Sequence, residues 1–146
     1  MKTLKNRLGQ RNRTSRKRSA AMLGAFVTQL LEFLILVKLY HWRTSSFAQH
    51  KATDELYSSL NENIDKLVET LLGKTSGMRI TVPPVFHLTA HNHSHKSHFI
   101  AEVEKFRAYL VGLENHAITR DRTDLLSIRD DILADVNKLL YLLSLS

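Results

Sequence analysis

The chain has 146 residues, enough for one ordinary domain and too few for two. It is 43% hydrophobic and 24% charged, which suits a buried core, and its 5 glycines and 2 prolines are too few for the turns of a many-stranded sandwich or barrel. There is no cysteine, which excludes disulfide scaffolds, thiolate metal sites and cysteine nucleophiles, and the net charge of +7 is concentrated at one end.

That end is residues 1–18, where Lys2, Lys5, Arg7, Arg11, Arg13, Arg16, Lys17 and Arg18 occur without a single acid. The other residues carry thirteen basic and fourteen acidic side chains, so the body is nearly neutral. The tail has no apolar periodicity and is expected to be disordered. It offers no aromatic group for stacking and no fold for base readout. Contact with DNA would run through phosphates, non-specific and salt-sensitive. An Arg- and Ser-rich, acid-free start also fits an organelle-targeting sequence.

From Ala20 to Val37 the chain is apolar, and a basic flank precedes it, as in a membrane anchor. Thr28, Gln29 and Glu32 in its middle argue for a buried helix instead, because a central carboxylate is costly in lipid. A first helix is therefore expected over about Ser19–Arg43, apolar nearly all round and so interior to a bundle. Thr44-Ser45-Ser46 ends it. A second helix is expected over about Phe47–Leu72, where Leu56, Leu60, Ile64, Leu67, Val68, Leu71 and Leu72 recur at three- and four-residue steps and Gly73 follows as a stop.

Residues 74–95 form the longest irregular stretch, with Gly77, Pro83-Pro84 and a run of histidines. His87, His91, His93, His95 and His98 read first as part of a polar loop. His91, His93 and His95 at alternate positions are the alternative, an accessory site for a transition metal. A third helix is expected over about Ser97–Asn115, with Phe99, Val103, Phe106, Leu110 and Leu113 on one side. A polar turn follows over Thr119–Arg122. The fourth helix, about Asp124–Leu143, carries Leu125, Ile128, Ile132, Val136, Leu139, Leu140 and Leu143. Two helices, a long connection and two more helices describe an all-α, four-helix bundle with a crossover between helices 2 and 3, the ferritin-like arrangement. The expected division is a tail at 1–18 and a bundle at 19–146.

The second helix also holds His50, Asp54, Asp65 and Glu69 on one arc, and His41-Trp42 closes the helix before it. Asp54 and Asp65 are eleven residues apart, about 16 Å along the axis, so one ion cannot bridge them. The set splits into His41/His50/Asp54 and Asp65/Glu69. A two-fold pairing of two chains with antiparallel second helices would join one half to the other and build two identical sites. Mixed imidazole and carboxylate ligands suit iron, manganese or zinc. On spacing alone the same residues serve equally as surface groups, Asp54 pairing with Lys51 and Asp65 lining a polar face with Lys66.

The stretch from Leu39 to Lys74, LYHWRTSSFAQHKATDELYSSLNENIDKLVETLLGK, resembles the signature of the Dps mini-ferritins, the DNA-binding proteins from starved cells. In that family a His-Trp pair and a short loop precede H-x3-D-x10-D-x3-E, and His50, Asp54, Asp65 and Glu69 fall on the pattern with His41-Trp42 upstream. The final TDLLSIRDDILADVNKLLYLLSLS resembles the family's last helix, and the similarity runs over about residues 20–146.

The resemblance implies a hollow homo-oligomer, a dodecamer, with a di-iron ferroxidase site between subunits at His41, His50, Asp54, Asp65 and Glu69. It implies Fe(II) oxidation, with hydrogen peroxide as oxidant, and ferric storage inside. Trp42 is expected behind the ligands or in the core. DNA protection would fall to the basic tail, in the cytoplasm or nucleoid. No membrane and no small organic substrate are expected. Two other readings stand beside it: a structural DNA-compacting protein with a non-redox metal site, and a membrane-anchored helical protein.

Overall fold

The computed structural model describes residues 4–74, 79–81 and 95–146, with side chains from residue 13 onward. The described residues form four α-helices and no strand: α1 Leu4–Arg43, α2 Phe47–Gly73, α3 Lys96–Gly112 and α4 Thr123–Ser144. A single 3₁₀ turn, Leu113–Asn115, ends α3.

The first helix departs most from expectation. It does not begin near Ser19 but is already helical at Leu4, so the expected disorder over 1–18 is corrected for residues 4–18. The reason is propagation. Arg, Lys, Gln and Leu are good helix formers, and extending an existing helix costs far less than starting one. The expected burial all round is corrected too. Leu23, Phe26, Val27, Leu30, Phe33, Leu34, Val37 and Tyr40 are buried on one arc. Leu31, Ile35 and Leu39 on the outer side are only half-buried. By length and composition Arg13–Arg43 is apolar enough to cross a membrane, yet its inner arc is core of the bundle.

The other helices bury the residues their spacing predicts. Leu56, Leu60, Ile64, Leu67 and Leu71 line α2, while Val68 and Leu72 sit at its margin. Phe99, Val103, Phe106, Leu110 and Leu113 line α3. On α4 the series is interrupted by Arg129, which is buried and donates from Nη1 to the Leu110 carbonyl at 2.9 Å. This guanidinium meets the last carbonyls of α3, where a cation is favoured.

Specific contacts fix the helix directions. Phe33 stacks on Phe106 and Tyr40 on Phe99, so α1 and α3 are antiparallel. Ser59 donates to Asp135, Glu55 pairs with Lys138, and Arg122 reaches the Thr70 carbonyl, so α2 and α4 are antiparallel as well. Each hairpin, α1–α2 and α3–α4, is itself antiparallel. It follows that α2 and α3 run the same way, and that the end of α2 and the start of α3 lie at opposite ends of the bundle.

Candidate metal centre at the α1–α2 corner

Only three residues separate the first two helices. Ser46 caps α2, its hydroxyl accepting from the Gln49 amide at 3.4 Å. Gln49 is buried. Its carbonyl oxygen accepts from the Tyr40 hydroxyl at 2.7 Å and from the Thr44 hydroxyl at 2.9 Å. Burial pushes the Tyr40 phenol above its usual range, partly offset by the hydrogen bond with Thr44. The corner is thereby held in one geometry, with His41 and His50 face to face, ring centroids 3.8 Å apart.

The two histidines lock each other. His41 Nδ1 bonds the His50 carbonyl oxygen at 3.0 Å, and His50 Nδ1 bonds the His41 carbonyl oxygen at 2.9 Å. A carbonyl can only accept, so both Nδ1 atoms carry hydrogen. The neutral rings therefore present their lone pairs at Nε2, the state a metal ligand needs, with orientation fixed from behind. The Thr53 hydroxyl, fully buried, donates to the Gln49 and His50 carbonyls at 2.8 and 3.1 Å and completes the support.

His41 is buried, and its Nε2 is 3.9 Å from Oδ1 of the half-exposed Asp54. That is too long for a hydrogen bond. Two ligands each about 2.1 Å from a tetrahedral ion lie about 3.4 Å apart, so a small turn of Asp54 would let both groups meet one ion. The donor set, two imidazoles and a carboxylate, fits iron, zinc or manganese. Asp54 is turned toward His41 rather than paired with Lys51.

The remaining residues of the set lie elsewhere. α2 is unbroken from Phe47 to Gly73, so Asp65 and Glu69 stay about 16 Å and more along the axis from Asp54. Both are exposed. Among the described residues, no three of His, Asp and Glu are gathered tightly enough to hold an ion within one chain. Trp42 is not core but surface, 67% exposed, with Lys38 Nζ 5.6 Å from its ring and 4.3 Å from that of Tyr57. Thr53, Gln49 and Tyr40 were not picked out by sequence. Tyr40 and Gln49 were signalled by adjacency to the histidines, and Thr53 by lying one helical turn after His50.

Arg13, Arg16, Lys17 and Arg18 are exposed on the N-terminal part of α1. Lys2 lies outside the described residues, as do the side chains of Lys5, Arg7 and Arg11. His87, His91 and His93 also lie outside them, and His95 is exposed at the start of α3 with the His98 ring 5.8 Å away. Glu32, the acid within the apolar run, lines a groove of about 250 Å³ between α1 and α3, along with Gln29, Glu102, Lys105 and Tyr109. There Lys105 pairs with Glu102 at 2.6 Å, and burial pushes the Tyr109 phenol up to about 12.

The family of unknown function DUF5856 matches residues 41–143, and the chain belongs to that family. The matched stretch opens on His41 itself and runs to the last turn of α4. No curated protein and no solved structure matches the chain.

Proposed function

We propose that this DUF5856 member is an iron-oxidising and iron-storing cage subunit of the Dps mini-ferritin kind, with DNA held by its basic N-terminal arm. The observation that carries the reading is the His41–His50 lock, which leaves both Nε2 atoms free of the backbone and sets that of His41 3.9 Å from the Asp54 carboxylate. Parallel α2 and α3, with the end of the one and the start of the other at opposite ends of the bundle, support a ferritin-like topology. The half-buried Leu31, Ile35 and Leu39 and the exposed Trp42 support a second copy on this face, since a helix apolar on its outer side needs cover.

In this reading Fe(II) is the substrate. His41, His50 and Asp54 of one chain bind it, and Asp65 and Glu69 of the two-fold mate complete the site. Two Fe(II) each give one electron to one hydrogen peroxide. Its O–O bond breaks, and two Fe(III) and two hydroxides result. The imidazoles hold Fe(II) at entry, and the anionic carboxylates favour the more highly charged product. The particle would be a homo-oligomer, a dodecamer, in the cytoplasm or nucleoid.

Complementation tests it. A His50→Ala/Asp54→Ala variant and an Asp65→Ala/Glu69→Ala variant should each lose most Fe(II) oxidation. At a mixed interface one of the two sites joins intact halves, so co-assembled particles should regain activity in proportion to mixed pairs. Mixed particles of confirmed mass that stay inactive would sink the inter-subunit site. Ion binding without oxidation would move the reading to a DNA-compacting protein with an architectural metal.

A further inference from the structure

The N-terminal arm is helix where its own electrostatics oppose helix. Its first turn contains no acid, and basic residues follow, against the partial positive charge of a helix N-terminus. Arg13 stands three and four residues before Arg16 and Lys17, spacings at which like charges repel. Among the described side chains burial does not compensate, because residues 13–18 are exposed and the core begins at Leu23. The arm is instead a continuation of α1, which nucleates it from behind. A polyanion along the arm would reverse both penalties, neutralising the repulsion and supplying negative charge to the helix N-terminus.

We infer that the arm binds duplex DNA as a helix seated in the major groove, rather than as a disordered strand scattered over phosphates. The inference rests on the proposed DNA reading and specifies how the contact is made. Residues 4–18 as helix are about 22 Å long and about 10–12 Å across, and the major groove of B-DNA, about 12 Å wide, admits such a rod. The deep, narrow major groove of A-form RNA does not. With Arg and Lys on successive turns, the seated arm faces phosphates on both groove walls.

A proline separates helix from charge. Ser15→Pro keeps every basic residue, removes a backbone donor and clashes with the preceding turn. Ser15→Ala keeps the helix. Full-length chains carrying each are titrated with a DNA duplex of about two turns and with the duplex RNA of the same sequence, at about 50 mM salt. Helix-in-groove docking expects Ser15→Pro to lose about tenfold in DNA affinity, Ser15→Ala to stay within about twofold, and RNA to bind both variants alike. Far-ultraviolet helicity should be higher in the wild type than in Ser15→Pro, with and without DNA. Equal DNA affinity for Ser15→Pro and wild type, both weakening with salt, would overturn the groove-bound helix and leave the DNA reading standing. Absence of DNA binding by the wild type would overturn both.

Discussion

The corner between α1 and α2 and the corner between α3 and α4 use the same kinds of side chain to opposite ends. In the second corner several polar groups are spent on partners within the fold. The Thr119 hydroxyl donates to the Leu113 carbonyl, and Arg129 to the Leu110 carbonyl. Arg122 grips Asp124 through Nε and Nη2 at 2.9 and 2.8 Å. Even His116 is turned inward, its Nδ1 accepting from the Ile118 amide at 3.2 Å. In the first corner the backbone takes only the Nδ1 edge of each imidazole. The Nε2 edges and the Asp54 carboxylate are left over, beside an apolar surface. A histidine satisfied on one edge and open on the other is a ligand held ready, whereas one whose accepting edge is closed by the backbone is part of the scaffold.

Breaking the first corner should show in ion binding before it shows in stability. His50→Ala removes one Nε2 donor and one bond to the His41 carbonyl. Affinity for Zn(II), used as a redox-inert probe, should fall by about a hundredfold, by the scale of lost ligands and their supports. The ion-induced rise in Tm should disappear with it. Stability without metal should change by no more than about 1 kcal/mol, the net worth of one hydrogen bond. An unchanged Zn(II) titration would remove His50 from the site.

Breaking the second corner should do the reverse. Arg129→Ala removes the charged donor to the Leu110 carbonyl, leaving only the Leu113 amide, and empties a buried volume. The expected cost is about 2–3 kcal/mol, read from the urea midpoint, because hydrogen bonds from a buried charge are among the stronger ones. The ion-induced rise in Tm should survive intact. Loss of both together would mean that the corners are coupled and the division between scaffold and site is wrong.

Arg129 also marks where reading the chain as a periodic pattern stops working. Ile128, Ile132, Val136, Leu139 and Leu143 could be assigned to the core from spacing, and so could Phe99, Val103, Phe106 and Leu110 of α3 and Leu113 just beyond it. Arg129 could not, because its burial answers carbonyls on another helix, and a single helix's period carries no information about its neighbour's end. The arm was misread for a related reason. Low apolar content says that a segment cannot pack, not that it cannot continue a helix already nucleated. Sharing of one corner by His41 and His50 was legible from the three-residue loop. Their lock was not, since it depends on where two backbone carbonyls point. Asp65 and Glu69 were legible as a separate half because helix pitch alone keeps them far from Asp54.

Ser46 sharpens the comparison at smaller scale. Ser46→Ala removes the cap of α2 and should cost about 1 kcal/mol. The α1–α2 loop should then fray, and because that loop sets the histidine pair, Zn(II) affinity should weaken modestly, by about two- to threefold. Ser46→Gly, a tolerated cap, should cost only a few tenths of a kcal/mol. A loss of stability with no change in Zn(II) affinity would show that Gln49 and Thr53 alone hold the histidines in place.

The smallest effect belongs to acid pH at the second corner. The hydrogen bond from Arg122 holds the Asp124 carboxyl well below the usual carboxylate range. The unfolded chain takes up that proton near pH 4, while the folded chain takes it up only at lower pH. Between those points the unfolded state binds more protons, so stability falls as pH falls. The contribution is fully present above about pH 4 and is lost as the folded carboxyl titrates. Asp124→Asn removes it at every pH. Wild type should therefore be the more stable protein at neutral pH, with the difference narrowing steadily toward pH 2. Because the pair is solvent-exposed, the difference should also shrink in high salt. The first corner predicts no such dependence on Asp124, so Zn(II) titrations of Asp124→Asn at neutral pH should overlay those of the wild type. A difference in stability that stayed constant from pH 7 to pH 2 would mean that Asp124 supports the turn by shape alone, and that the ion pair with Arg122 contributes nothing.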